Sequence, residues 1–156
     1  LWRPGDGAAA GTLEVQGGNV QSVAFSPDGA TLASTGSSEV VRLWQLRSGK
    51  LLRAIGGHRG YLSAVAFSPD GMALITAGGD KAICRWRAAD GALLDRLLPE
   101  GGALCMALGL GGRELAVGCG DRRIRLYSAE SALLGVLEGH RDSPVGLDFS
   151  RDGALL

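Results

Sequence analysis

The run Val65-Ala66-Phe67-Ser68-Pro69-Asp70-Gly71 repeats, letter for letter, a run that occupies Val23 to Gly29, 42 positions earlier. A looser copy, Leu147-Asp148-Phe149-Ser150-Arg151-Asp152-Gly153, stands 82 positions later. Self-similarity at a period near 40 residues constrains the architecture more than any composition can. A unit that short cannot bury its own apolar faces, so the copies must stack on one another.

Within one period the pattern is that of short strands. Residues 20–25 alternate apolar and polar side chains, as a half-buried strand does. Ser26-Pro27-Asp28-Gly29 then supplies a turn: proline fixes φ, aspartate bonds nearby backbone, and glycine tolerates positive φ. Further strands are expected over 31–34, 40–44 and 51–55, giving an antiparallel meander of four. The second unit repeats this over 62–67, 73–76, 83–86 and 92–97. The third is expected over 105–108, 114–117, 124–127 and 133–137, but its first turn, Gly109-Leu110-Gly111-Gly112, has lost the Ser-Pro-Asp-Gly signal. Residues 12–15 read as a short outer strand at the end of an earlier unit. A fourth unit begins at Val145 and stops inside its second strand. No stretch sustains a helical period for three turns.

The predicted class is therefore all-β: a partial propeller of four-stranded antiparallel blades, three complete, with a partial blade at each end. The expected divisions are 1–18 (end of a preceding blade), 19–58, 59–98, 99–140 (degenerate) and 141–156 (start of a truncated blade), all in one domain. The missing start methionine and the apolar end Leu155-Leu156 read as a piece of a longer protein, whose remainder would complete the propeller. An open arc would leave bare strand edges. The other arrangement is a four-blade ring closed by residues 1–15 completing the blade begun by residues 145–156.

Charge and cysteine usage exclude several functions. Sixteen basic and sixteen acidic residues cancel, which argues against a nucleic-acid binder. No apolar run reaches the 18 or so residues that span a membrane, and no signal-peptide pattern opens the chain. Cys84, Cys105 and Cys119 form no CxxC pair and have no metal-ligand spacing with His58 or His140. They read as free, partly buried thiols of a reducing compartment. The expected location is the cytoplasm, with nucleus and cytoskeleton left open.

The period, the Gly57-His58 and Gly139-His140 pairs, the Phe-Ser-Pro-Asp-Gly turns and the third-strand tryptophans occur together, and in this the chain resembles the WD-repeat β-propellers. The resemblance covers nearly the whole chain. It implies that each blade holds a hydrogen-bonded tetrad of histidine, Ser or Thr, aspartate and tryptophan. The second unit has all four, as His58, Thr76, Asp80 and Trp86. The first keeps Ser34 and Trp44, with Gln16 at the histidine position and Ser38 at the aspartate position. The third keeps Asp121, with Pro99, Val117 and Tyr127 at the other three, and is expected to be the softest complete blade. None of the tryptophans is followed by the family's aspartate: the pairs are Trp2-Arg3, Trp44-Gln45 and Trp86-Arg87. Arg85 falls where Leu43 and Leu126 stand and is read either as a snorkelling side chain or as a cation facing a partner.

No residue set reaches the standard of a catalytic, cofactor or metal site. His58 and His140 occupy equivalent positions two repeats apart, and Asp80 and Asp121 lack a nucleophile or paired acid beside them. Gly109–Gly112 and 118–120 complete no phosphate-binding motif. Ser26 and Ser68 lack a GxSxG elbow. What remains is surface. The resemblance implies that the loops entering the first strand and joining the second to the third line one face. Those loops carry Arg59, Tyr61, Lys81, Arg122, Arg123, Arg141 and Asp142. Arginine and tyrosine are favoured contact residues, and the basic excess favours an acidic protein or peptide partner. The expected function is a non-catalytic scaffold or adaptor for other proteins, with no cofactor. Two alternatives stay open: a cytoskeletal or ciliary WD-repeat protein binding tubulin, and the sensor or substrate-receptor propeller of a larger enzyme such as a ubiquitin ligase or kinase.

Overall fold

In the computed structural model, which describes residues 1, 3–15 and 18–156, twelve strands form three four-stranded sheets. The first holds β1 (Val20–Phe25), β2 (Thr31–Gly36), β3 (Val40–Gln45) and β4 (Lys50–Gly56). The second holds β5 (Leu62–Phe67), β6 (Ala73–Gly78), β7 (Ile83–Arg87) and β8 (Leu93–Leu97). The third holds β9 (Ala103–Leu108), β10 (Glu114–Cys119), β11 (Ile124–Ser128) and β12 (Leu133–Leu137). Within each sheet, strands that are neighbours in sequence pair antiparallel, and the sheets stand side by side as blades of an open arc.

Stacking explains which strands tolerate apolar residues on both faces. The second strands β2 and β6 are buried at every position after their first. A sheet covers each face of β6, while the outer strands β8 and β12 contain no fully buried residue. One apolar cluster fills the space between the first two blades, with Val41, Leu43, Leu62, Leu74 and Trp86 at its centre. A second lies between blades two and three, around Ile75, Ile83, Val117 and Tyr127. Each fully buried leucine of the first cluster, Leu62 and Leu74, contributes on the order of 2 kcal/mol. On β1, by contrast, Val20, Val23 and Phe25 are half exposed.

Each blade carries the same two irregularities. The inner pairing skips between Val20 and Ser22, between Leu62 and Ala64, and at the equivalent place between β9 and β10. The outer pairing skips beside Trp44, Trp86 and Tyr127, passing over Leu52, Leu94 and Leu134. Such bulges increase strand twist.

Blade-to-blade hydrogen bonds supplement the apolar contact. Val65 N–H donates to Ser22 Oγ at 3.3 Å, joining the inner strands. On the outside, Arg53 donates to the carbonyls of Asp90 and Ala89 at 3.0 and 2.9 Å. Asp95, 42 residues on from Arg53, accepts from Ser131 Oγ at 2.5 Å.

Three expectations need correction. Residues 12–15 form no strand; the segment before them turns back on itself, with Arg3 N–H bonding Ala8 O and Ala10 N–H bonding Leu1 O. Residues 141–156 form no strand either, and Val145 is 92% exposed. A strand exists only by pairing, and among the described residues neither segment forms a ladder of backbone hydrogen bonds with a neighbouring strand. Ring closure through these segments is accordingly not formed: among the described residues no backbone hydrogen bond joins 1–15 to 141–156. Trp2 and Gln16 lie outside the described residues. The third correction concerns Gly109-Leu110-Gly111-Gly112, where loss of the sequence signal does not mean loss of the turn. Gly109 N–H bonds Glu114 O and Gly112 N–H bonds Gly109 O, the pattern that Ser68 and Gly71 make in the second blade. Gly111 and Gly112 reach it with φ of 74° and 66°, values that cost glycine little.

Candidate functional site

The second blade brings the four tetrad residues together at its boundary with the first. Strand alternation puts Leu74 and Thr76 of β6 on the face toward blade one, and pairing sets Cys84 and Trp86 of β7 opposite them. His58 enters from the β4–β5 loop and Asp80 from the β6–β7 turn. Trp86 Nε1–H donates to Thr76 Oγ1 at 2.8 Å. Thr76 Oγ1–H donates to His58 Nε2 at 2.7 Å, and His58 Nδ1–H donates to Asp80 Oδ1 at 2.8 Å. Every proton in this chain points toward the carboxylate, so each buried donor and acceptor finds a complement. The indole also needs room: Gly57, at φ 145°, lies against its edge, where a Cβ would come within 2.6 Å of the ring.

Asp80 collects more than the histidine. It accepts from Arg59 N–H at 3.1 Å and Arg96 Nη2 at 2.8 Å, with Ala82 N–H at 3.3 Å. Burial alone would raise its carboxyl pKa; the hydrogen bonds from His58 and the two backbone groups outweigh it and hold the group below its ordinary value. A carboxylate whose folded pKa is depressed adds stability that is fully present above the unfolded value, near 4, and is lost as pH falls through the folded one. Asp121, lowered chiefly by Arg125, acts in the same sense. Thermal unfolding of the protein and of Asp80→Asn should therefore differ at neutral pH and converge as pH falls below about 4.

The arrangement has the look of a hydroxyl activated by a histidine and aspartate, but it is sealed. Thr76 is 0% exposed and His58 4%, and both ring nitrogens are engaged within the blade. No substrate reaches the hydroxyl. The cysteines are free and buried, and burial pushes the Cys84 thiol up to about 11, which leaves it inert as a nucleophile at neutral pH. Among the described residues no cluster of His, Cys, Asp or Glu could hold a metal ion, and no helix is long and apolar enough to cross a membrane.

The other blades replace the tetrad in part. In the first, Trp44 Nε1–H donates to Ser34 Oγ at 2.8 Å, as Trp86 does to Thr76. In the third, Val117 and Tyr127 pack in the core and Pro99 is buried in the β8–β9 loop, while Asp121 takes a partner the repeat pattern does not announce. Arg125, 3% exposed, donates to both Asp121 oxygens at 2.7 and 3.0 Å, with Glu100 at 3.4 Å. Sequence reasoning passed over Arg96 and Arg125. The available signal was an arginine four residues after the tetrad-aspartate position, at 42 and 125. Arg85 lines the groove between blades two and three with Asp70, Leu108 and Ala129, and makes no side-chain hydrogen bond among the described residues. Its half-buried stem with a head in the groove is the snorkelling arrangement.

The seven surface candidates lie on a connected series of loops. Gly79 N–H bonds Tyr61 O at 2.8 Å, and the Tyr61 ring lies over Gly79. Ala103 N–H bonds Lys81 O, Gly120 N–H bonds Gly101 O, and Ser143 Oγ bonds Gly120 O. One end of the arc thus carries Arg59, Tyr61, Lys81, Arg122, Arg123, Arg141 and Asp142, all exposed. Arg123 is occupied by Glu138, Nε to Oε1 at 2.8 Å. Among the described residues Arg59, Lys81, Arg122 and Arg141 have no acidic partner. Lys81 and Arg122 hold equivalent turn positions with φ of 65° and 69°. The Asp80 bond to Arg59 N–H ties this surface to the buried tetrad.

The sequence profile described as WD domain, G-beta repeat matches residues 8–45 and 49–87. An uncharacterized WD repeat-containing protein, alr2800 of Nostoc sp. (strain PCC 7120 / SAG 25.82 / UTEX 2576), is 46% identical over 44 residues, 28% of this chain and 4% of the relative. The crystal structure of RRP9 WD40 repeats superposes with a TM-score of 0.78 and 23% identity over 84% of this chain. The structure of U3-55K does so with the same values. The chain spans 42% of each of these solved chains. At that identity the likeness is one of fold.

Proposed function

Because the chain belongs to the WD-repeat β-propeller family, we propose that it serves as a non-catalytic scaffold that holds an acidic protein segment on its loop-bearing end. The observation that carries this reading is the set of cations without an acidic partner among the described residues, Arg59, Lys81, Arg122 and Arg141, beside the exposed ring of Tyr61. They stand on short turns anchored to a rigid frame, so little backbone entropy is lost when a partner binds them. Opposite charge would steer the encounter and set the register. The three free, buried thiols support a reducing, cytoplasmic setting.

The test is charge reversal at Arg59, Arg122 and Arg141 together, compared with the unaltered protein in affinity purification and in direct titration with an acidic peptide. We expect the variant to unfold at an unchanged temperature, to lose the partners that the unaltered protein retains, and to lose the salt dependence of peptide binding. Retention of every partner by the triple variant would sink the proposal.

A further inference from the structure

An arginine reaches the same turn position in all three blades. Arg96 Nη2 donates to Asp80 Oδ2 at 2.8 Å, and Arg125 holds both oxygens of Asp121. In the first blade Arg42 Nη1 donates to Ser38 Oγ at 2.9 Å. Ser38 stands 42 residues before Asp80, and Arg42 follows Ser38 by four residues, as Arg125 follows Asp121. Two blades therefore present a carboxylate to the arginine and the first presents a hydroxyl. Among the described residues Arg42 meets no carboxylate.

Ser38 also has the surroundings of an accessible hydroxyl. It lies in the connection between β2 and β3, outside both strands, and is itself half-buried between the exposed Ser37 and Glu39. Its own proton is engaged only by a 3.5 Å contact with Val40 O, at the limit of a hydrogen bond. The Oγ already lies within reach of a guanidinium whose planar fork suits a tetrahedral oxyanion.

We propose that Ser38 is a phosphoacceptor, and that its phosphate completes with Arg42 the ion pair that Asp121 and Arg125 make in the third blade. The reaction needs a nucleoside triphosphate and a protein kinase. Ser38 Oγ attacks the γ-phosphorus, the bond to the bridging oxygen breaks, and the nucleoside diphosphate leaves. The hydroxyl proton passes to the kinase's base. The product carries a charge of about −1.5 to −2 and three acceptor oxygens, which turns a single bond to a neutral hydroxyl into a forked pairing of opposite charges.

The test installs phosphoserine at position 38 during translation and follows amide hydrogen exchange over residues 37–42. Exchange should slow by about five-fold or more, the factor that one good charge-assisted contact gives. Arg42→Gln should abolish the slowing, and Ser38→Asp should reproduce part of it in the presence of Arg42. Unchanged or faster exchange overturns the proposal, as does equal slowing in the Arg42→Gln background. Phosphopeptide mass spectrometry of the protein recovered from its own cells should find the Ser38 phosphate. Complete coverage of the segment with no phosphate there, or with phosphate on Ser37 alone, overturns the modification.

Discussion

Replacing Thr76 by valine is expected to destabilise the protein by roughly 2–6 kcal/mol, although the two side chains have nearly the same shape. The volume stays, so no cavity opens. What disappears is the oxygen that accepts from Trp86 Nε1 and donates to His58 Nε2, at 2.8 and 2.7 Å. Trp86 is 3% exposed and His58 4%, so water cannot take the place of the hydroxyl. Two buried polar groups are left unpartnered, at about 1–3 kcal/mol each. Thr76→Ser is the control: it keeps the hydroxyl, as Ser34 does for Trp44 in the first blade, and should cost only about 1 kcal/mol for the lost methyl. Denaturant unfolding of both variants checks this, and equal losses would show that the hydroxyl has no special role.

The second large effect concerns the third blade and is asymmetric. Asp121→Ala should cost about 3 kcal/mol or more, because it strands a guanidinium that is 3% exposed. Glu100, at 3.4 Å, is the only other carboxylate within ion-pair distance among the described residues and is itself open to solvent. Arg125→Met should cost only about 1 kcal/mol: the stem volume is kept, and the remaining Asp121 carboxylate is 27% exposed and can be hydrated. The double variant should then be more stable than Asp121→Ala alone, a coupling that a double-mutant cycle measures directly. Strictly additive losses would mean that the pair contributes nothing as a pair.

This pair also changes how the third blade compares with the others. Judged by missing motif residues it is the blade with least to hold it: Val117 stands for the hydroxyl and Tyr127 for the indole. The structure shows those two residues packed in an apolar cluster, where Val117 has no polar atom to satisfy. The polar work moves to Arg125 and Asp121 at the blade's edge. The tetrad motif passes over it because it assigns no place to an arginine; the signal lies outside the motif, in the arginines that stand four residues after Ser38 and Asp121.

Other features were legible from the start. The identical runs ending at Gly29 and Gly71 set a period, and with it the register that brings His58, Thr76, Asp80 and Trp86 into one blade. Strand positions followed from alternation and turn residues because both are local: each depends on a few neighbouring side chains and backbone angles. The bulges beside Trp44, Trp86 and Tyr127 did not follow, although a doubled leucine marks each of them. A bulge answers to the twist that one blade needs to pack on the next.

By itself the sequence determined the all-β repeat and the number of complete blades, since these rest on short-range pattern at a fixed period, while the membership of the tetrad in the second came from the family resemblance. Only the tertiary structure decided that residues 12–15 and 141–156 form no strands, that a glycine-built turn at 109–112 copies the Ser-Pro-Asp-Gly geometry, and that arginines from β3, β8 and β11 converge on one turn position. Pairing, backbone hydrogen bonding and charge compensation act between segments that are distant in the chain, and a linear pattern carries no record of which segments meet.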